Sequence, residues 1–297
     1  MGNAAVETGT DKTLKISQIH PCFASEVHNK YGRLHLPVSA SCNIQCRFCN
    51  RVFNRHEDRP GVTSGILHPG NAVRTVSRAL ELCPQITVVG IAGPGEALAS
   101  DAALEVFRAV HRTYPGLIMC LSTNGLMLPE RAEELAEAGV RTITVTVNAV
   151  DPAILEKVVS FILFGGRRVT GREMSEILIL RQMKGIRMAS GLGVTVKVNT
   201  VLIPGINDFH IEDIARETGD AGAEIYNIIP LIPQYELAHI APPDCAMLAR
   251  ARESARKYVE VFHHCRHCRA DACGIPGEND FSRRLYGGEA IETFSHG

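Results

Sequence analysis

The sequence lacks a basic excess: 31 Lys and Arg stand against 32 Asp and Glu, for a net charge of −1. Nucleic-acid backbones are held by concentrated positive charge, so no nucleic-acid partner is expected. Long hydrophobic runs are missing as well. Phe161-Ile162-Leu163-Phe164 falls far short of the roughly 20 apolar residues that cross a bilayer, and no membrane partner is expected. Met1 to Gln18 is polar and has no signal-peptide apolar region. Met1-Gly2 opens like a myristoylation site, but Val6 stands where Ser or Thr is required. There is no low-complexity segment, and no internal repeat beyond an alternation of strands and helices. Ten cysteines without a secretory signal point to a reducing, cytoplasmic setting and to metal binding instead of disulfides. What is present, 45% hydrophobic and 21% charged residues over 297 positions, suits one large α/β domain or two small ones around a substantial core.

Periodicity places the elements. An alternating run from Leu34 to Ala40 reads as a strand, and Ala72, Val73, Val76, Ala79 and Leu80 recur at helical spacing. Ile86 to Ile91 is a continuous apolar run emptying into Ala92-Gly93-Pro94-Gly95-Glu96, the pattern of a buried parallel strand and its loop. Helix 101–113, strand Leu117–Leu121 with Ser122-Thr123-Asn124-Gly125 after it, helix 129–138 and strand Thr142–Val147 follow. Asp151-Pro152 starts a helix with a cap and a first-turn proline. A long helix from Glu173 to Ala189, strand Val194–Val201, a helix over 211–218 and strand Glu224–Leu231 complete six strands. Each strand but the last has a helix after it, which implies parallel strands with helices outside. Strand order is not readable from this pattern. Past Pro233 the composition changes, with a helix expected around 244–262. The expected divisions are an arm over 1–18, a main unit over 19–233 and a carboxy-terminal extension over 234–297.

The chain is organised around Cys42-Asn43-Ile44-Gln45-Cys46-Arg47-Phe48-Cys49, directly after the first strand. Three thiols on one tight loop can reach three corners of an iron–sulfur cube and leave one iron open for a small molecule. A structural zinc site, the bland alternative, usually closes with four protein ligands. This loop resembles the signature of the radical S-adenosylmethionine (SAM) enzymes. The resemblance implies a partial (β/α)6 TIM-type barrel, with extensions at both termini closing its mouth and chemistry at the carboxyl ends of the strands. It also implies that Cys42, Cys46 and Cys49 hold a [4Fe–4S] cluster whose open iron binds SAM. Gly93, Pro94, Gly95 and Glu96 match the family's glycine-rich SAM-binding segment, and Asn148 and Asn199 are candidates to face the ribose.

Cysteine and histidine usage extends beyond that loop. Cys22, His35 and Cys120 lie in three segments expected to reach the same mouth, and thiolate with imidazole suits iron. Cys265 and Cys268 form a CxxC with Cys273 close by, enough for a further cluster; zinc held with His263, His264 or His267 is the competing reading. Cys83 and Cys245 read as structural. His20-Pro21-Cys22, the CxxxCxxC loop, Glu57-Asp58-Arg59-Pro60, Ala92 to Glu96, Thr144 to Asn148 and Cys265 to Ala272 together resemble NifB, the nitrogenase cofactor maturase family, over roughly residues 19–285. The likeness is to its short form, without the additional NifX-like domain.

That resemblance implies two substrate [4Fe–4S] clusters, one on Cys22, His35 and Cys120 and the other on Cys265 and Cys268. Many members carry a further Cys where this chain has Asn54 and Arg55, so the second cluster's third ligand is open; Cys273 is expected to replace it, with His56 the weaker substitute. The implied reaction fuses the clusters around a SAM-derived carbide, with an added sulfur, into an eight-iron precursor, and yields S-adenosylhomocysteine and 5′-deoxyadenosine. Glu57 and Arg59 are candidates for proton transfer and positioning, against a surface ion-paired turn. A ferredoxin-like electron donor and a nitrogenase cofactor scaffold or carrier protein are implied as partners. Two other readings stay open: a molybdopterin-biosynthesis-like cyclase, which does not account for Cys22, His35 and Cys120 together, and a non-enzymatic iron–sulfur carrier, which has no use for an open iron beside a glycine-rich loop.

Overall fold

The computed structural model describes residues 16, 18–23, 25–53, 57–265 and 268–287. The expectations for most of the 1–18 arm, and for His56, fall outside the described residues.

Eight strands form one sheet: β1 (Gly32–His35), β2 (Ile86–Ile91), β3 (Ile118–Thr123), β4 (Val140–Thr146), β5 (Thr195–Leu202), β6 (Ile225–Pro230), β7 (Glu260–Phe262) and β8 (Cys273–Gly274). Their spatial order is β7-β6-β5-β4-β3-β2-β1-β8. All neighbours are parallel except β1 and β8. The connecting helices are α1 (Ala72–Leu82), α2 (Ala102–Thr113), α3 (Leu128–Glu137), α4 (Gly171–Gly191) and α5 (Ile211–Asp220), with α6 (Cys245–Ala255) before β7. This is the expected partial barrel, left open between the edge strands β7 and β8.

Strand side chains alternate in direction, and the two faces have opposite chemistry. Val89, Ile91, Met119, Leu121, Ile143, Val145, Val196 and Val198 face outward into the main core. There they meet Val76 of α1, Leu104, Phe107 and Val110 of α2, Leu135 of α3, Ile186 of α4 and Ile214 of α5. Full burial of a side chain such as Phe107 contributes about 2 kcal/mol. The inward face carries polar, small and cysteine residues instead, and it lines a cavity.

Three expectations need correction. The first strand ends at His35, and Ser39 instead forms an isolated bridge with Pro94. The helix begun by Asp151 is a single turn, Pro152–Leu155, capped by the Asp151 carboxylate on Ala153 N at 2.8 Å. A hairpin of Val159–Phe164 and Arg167–Val169 then returns to pair antiparallel with Ile44–Cys46, so it backs the three-cysteine loop. Finally, the helix expected over 244–262 stops at Ala255, because Glu260–Phe262 leaves it to join the sheet as β7. From Phe262 the chain reaches β8 on the opposite edge after ten intervening residues. Residues 263–265 and 268–272 therefore belong to a strap between the two open edges, at the carboxyl end of the parallel strands.

Candidate functional site

The strap and the strand ends enclose a cavity of about 360 Å3. Its wall includes all three thiols of the central loop, Cys42, Cys46 and Cys49. The loop is folded by its own polar groups: Cys49 N donates to Cys46 O at 3.0 Å, and Gln45 Nε2 donates to Cys46 O at 2.8 Å. Leu163 N and Arg47 N tie it to the hairpin through Asn43 O and Val158 O at 2.7 and 2.9 Å. Arg47 also pairs with Glu236. Burial pushes the Cys42 thiol up to about 11 and holds Cys46 well above its ordinary range, where the neighbouring thiols add to the effect.

The glycine-rich loop is pressed directly on this one. Gly95 N donates to Ser39 O and Glu96 N to Ser41 O, both at 2.8 Å. A Cβ on Gly95 would lie 2.0 Å from Ser41 O, so no other residue fits. The Glu96 carboxylate accepts from Leu98 N at 3.0 Å, Thr123 Oγ1 at 2.5 Å and Asn124 N at 2.7 Å. Burial raises its pKa, against these hydrogen bonds. Glu96 thus locks the loops after β2 and β3 together. Pro94, Gly95, Glu96, Asn148 and Asn199 line the cavity, whereas Gly93 stands outside the lining. Asn148 Oδ1 accepts from Val201 N at 2.9 Å, and Asn199 Oδ1 from Asn227 Nδ2 at 3.1 Å.

A second part of the cavity gathers Cys22, His35, Cys120, Cys265 and Cys268. His35, Gly90 and Cys120 are direct cross-strand neighbours on β1, β2 and β3. Two strand spacings, about 10 Å, therefore separate the imidazole strand from the thiol strand. Gly90 keeps that space clear, since a Cβ there would sit 3.1 Å from His35 Cδ2. His35 is oriented by Nδ1 at 2.9 Å from Arg269 O of the strap. Burial, then the nearby Arg33, brings its pKa down to about 4, so it is neutral at pH 7. Cys22, Cys120 and Cys265 share a small apolar cluster with Ile16, Phe23, Ile225 and Phe262. Burial pushes Cys22 up to about 12 and raises Cys120.

Cys273 does not join this group. Its pairing with Leu34 sets it on the outward face of β8, fully buried in the main core, where burial and then Cys83 push it up to about 12. The expected replacement ligand is therefore in the wrong layer of the fold. Cys83 lies in the same core, and Cys245 is exposed at the start of α6. Arg59 lines the cavity and donates from Nε to the Glu57 carboxylate at 2.7 Å, while Glu57 itself is outside the lining.

Several cavity residues escaped the sequence reading. Two are buried cations: Arg33, 3.2 Å from Cys268 Sγ, and Lys197, which donates to Cys22 O at 2.9 Å. Their signal is a charge at an inward position of a buried strand. Gln182 donates to Asn124 O and Thr146 O at 2.8 and 2.9 Å, leaving Oε1 without a partner; Asn227 Oδ1 is likewise unpaired. Both line the cavity. Among the described residues, no group of three or more His, Cys, Asp or Glu converges tightly enough to hold one metal ion.

The family model described as "Radical SAM superfamily" matches residues 36–218. Over 277 residues the chain is 44% identical to the FeMo cofactor biosynthesis protein NifB of Methanocaldococcus jannaschii, with 93% of this chain and 92% of that protein covered. The chain belongs to the NifB family of radical SAM enzymes. Its identity to the Klebsiella pneumoniae NifB is 42%, over 88% of this chain and 57% of that longer protein. Streptococcus suis SuiB, at 14% identity and TM-score 0.58, shares the fold over 86% of this chain and 54% of its own. So does a radical SAM methyltransferase from Sphaerobacter thermophilus, at 19% identity and TM-score 0.58, over 77% and 65%. Membership implies a [4Fe–4S] cluster and SAM. The residues fit them: three free thiols from one loop face a cavity whose wall also carries unpaired polar atoms. No helix among the described residues is long and apolar enough to cross a membrane.

Proposed function

We propose that this chain is a nitrogenase cofactor maturase that fuses two [4Fe–4S] substrate clusters, with a SAM-derived carbide and an added sulfur, into an eight-iron precursor. One observation carries the reading: a single cavity is walled by the CxxxCxxC thiols and by Cys22, His35, Cys120, Cys265 and Cys268 from four further segments. On this reading Cys42, Cys46 and Cys49 hold the resident cluster, which supplies the electron for reductive SAM cleavage. Pro94, Gly95, Asn148 and Asn199 border the SAM site. Glu96 acts one step back, by fixing the loops around it.

Cys22, His35 and Cys120 hold one substrate cluster, and Cys265 and Cys268 hold the other. Substrate must leave as product, so mixed ligation with a neutral, exchangeable imidazole suits the task better than a closed thiolate cage. Arg33 and Lys197 supply positive charge beside an anionic cargo. Arg59 positions material in the cavity, and Glu57 acts through Arg59. A ferredoxin-like electron donor and a cofactor scaffold or carrier are the partners such a reaction requires.

Incubation of anaerobically reconstituted protein with reductant and methyl-labelled SAM tests the reading. Both S-adenosylhomocysteine and 5′-deoxyadenosine are expected, with label retained in the extracted cluster. 5′-Deoxyadenosine alone would favour a cyclase, and failure to bind SAM would favour a carrier.

A further inference from the structure

The two-cluster reading leaves the cargo on Cys265 and Cys268 with two of the expected ligands among the described residues, because Cys273 is buried in the outer core. We propose that His28 is the third ligand of that substrate cluster; the inference rests on the reading above.

The described histidines narrow the choice. His20 uses both ring nitrogens: Nδ1 accepts from Cys22 N at 3.1 Å, and Nε2 lies 3.4 Å from Thr142 Oγ1. His35 belongs to the other site. His263 meets Arg256 Nη2 at 3.0 Å and is not part of the cavity wall. His264 is exposed and also outside the lining. His28, in contrast, is 3% exposed and lines the cavity.

Its placement relative to the strap is specific. The His28 ring lies 5.8 Å from that of His264, the residue before Cys265, and 6.0 Å from that of Phe262. Phe262 in turn packs in the apolar cluster that holds Cys22 and Cys265. The tautomer is fixed too. His28 Nδ1 lies 2.5 Å from Pro21 O, and a carbonyl oxygen only accepts, so Nδ1 carries the proton and the lone pair is on Nε2. A ring nitrogen oriented by a backbone carbonyl through its other N–H is the usual arrangement of a metal-ligating histidine. Residues 22–35 then supply both substrate sites, Cys22 and His35 to one and His28 to the other. Each cargo would carry one neutral, readily exchanged ligand beside two thiolates.

Iron counting and nitrogen hyperfine spectroscopy on the reduced, 15N-histidine-labelled full chain test this without reference to turnover. His28→Ala is expected to lose about four iron per chain, as Cys265→Ala does, and the double variant to lose no more than either alone. Two distinct histidine couplings in the parent should fall to one. His28→Cys, which offers a thiolate in place of the imidazole, should regain the iron but not the coupling, and its recovery separates lost ligation from misfolding. Full iron and both couplings in His28→Ala, alongside the loss in Cys265→Ala, would overturn the role of His28 and leave the two-cluster reading standing. Full iron in Cys265→Ala would overturn both.

Discussion

Arg33 Nη2 lies 3.2 Å from Cys268 Sγ, although 235 residues separate them in the chain. The same guanidinium donates from Nη1 to Gly274 O at 2.6 Å, so one side chain of β1 grips the strap at the CxxC and again just past it. The strap itself spans the two sheet edges, and Arg33 is therefore where barrel closure and the thiol set meet. Burial opposes charge on Arg33, but Cys268 and Cys22 beside it outweigh that and raise its pKa.

Arg33→Met removes the charge and both hydrogen bonds while keeping an unbranched apolar side chain. The apo protein is expected to lose about 2 kcal/mol, the scale of buried hydrogen bonds to a charged group, in anaerobic denaturant titration. Arg33→Lys keeps the charge without the fork and should fall between parent and Arg33→Met. Iron content should drop in the same order. Equal stability for all three would mean that the strap is held elsewhere.

The core of this arrangement was legible because its signals are local. The strand–helix alternation, the CxxxCxxC loop and the glycine-rich loop each announce themselves within a few residues. The hairpin behind the central loop is readable in principle: Gly165-Gly166 sits between Val159–Phe164 and Arg167–Val169, a two-residue turn signal, although the apolar run is too short to stand out by itself. The strap was not readable, because β7 and β8 have three and two residues, too few for any periodicity. The layer that Cys273 occupies is hidden for a related reason. Its chemistry was visible in sequence, but the face it occupies is set by a register with Leu34 that no local pattern encodes.

Gly95→Ala tests whether the glycine-rich loop is shaped by its neighbour before it ever meets a ligand. The added methyl would lie 2.0 Å from Ser41 O and 2.9 Å from Ser39 O, both backbone atoms that cannot swing aside. Separation of the two loops is the expected result, with a stability loss of about 3 kcal/mol or more. Amide exchange should accelerate at Gly95 and Glu96, whose bonds to Ser39 O and Ser41 O are broken. An unchanged melting temperature would show that the loops are independent.

Asp271 anchors the strap from below. Its carboxylate takes Arg269 Nε at 2.8 Å and Nη2 at 3.1 Å, and also accepts from Ser64 N at 2.6 Å. Burial works to raise its pKa, but the Arg269 and Ser64 hydrogen bonds prevail and hold it below the ordinary value. A depressed carboxylate pKa gives stability that is complete above the unfolded value and declines as pH falls from about 4 toward the folded value. The acid limb of the parent should therefore be steeper there than that of Asp271→Asn. At pH 7 the variant should be less stable by about 3 kcal/mol, since the buried ion pair between Arg269 and Asp271 is broken. Parallel acid limbs for the two proteins would remove Asp271 from the linkage.

Lys197 presents the opposite problem, a cation on the inner face of a central strand. Nζ donates to Cys22 O at 2.9 Å and stands 4.5 Å from the centre of the Phe23 ring. The ammonium thus pins the turn that carries Cys22 against β5, while its stem spends the length of the side chain on apolar surroundings. Lys197→Met keeps that stem and deletes the charge. Loss of one charged hydrogen bond and one cation–π contact predicts about 2 kcal/mol, localised to the amino-terminal segment. Hydrogen exchange should accelerate at Cys22 and Phe23, with no change at Cys46 and Cys49 on the far side of the cavity. Lys197→Arg, which can reach the same carbonyl, should restore most of the protection. If exchange rises equally in both regions, Lys197 supports the barrel as a whole instead of this turn.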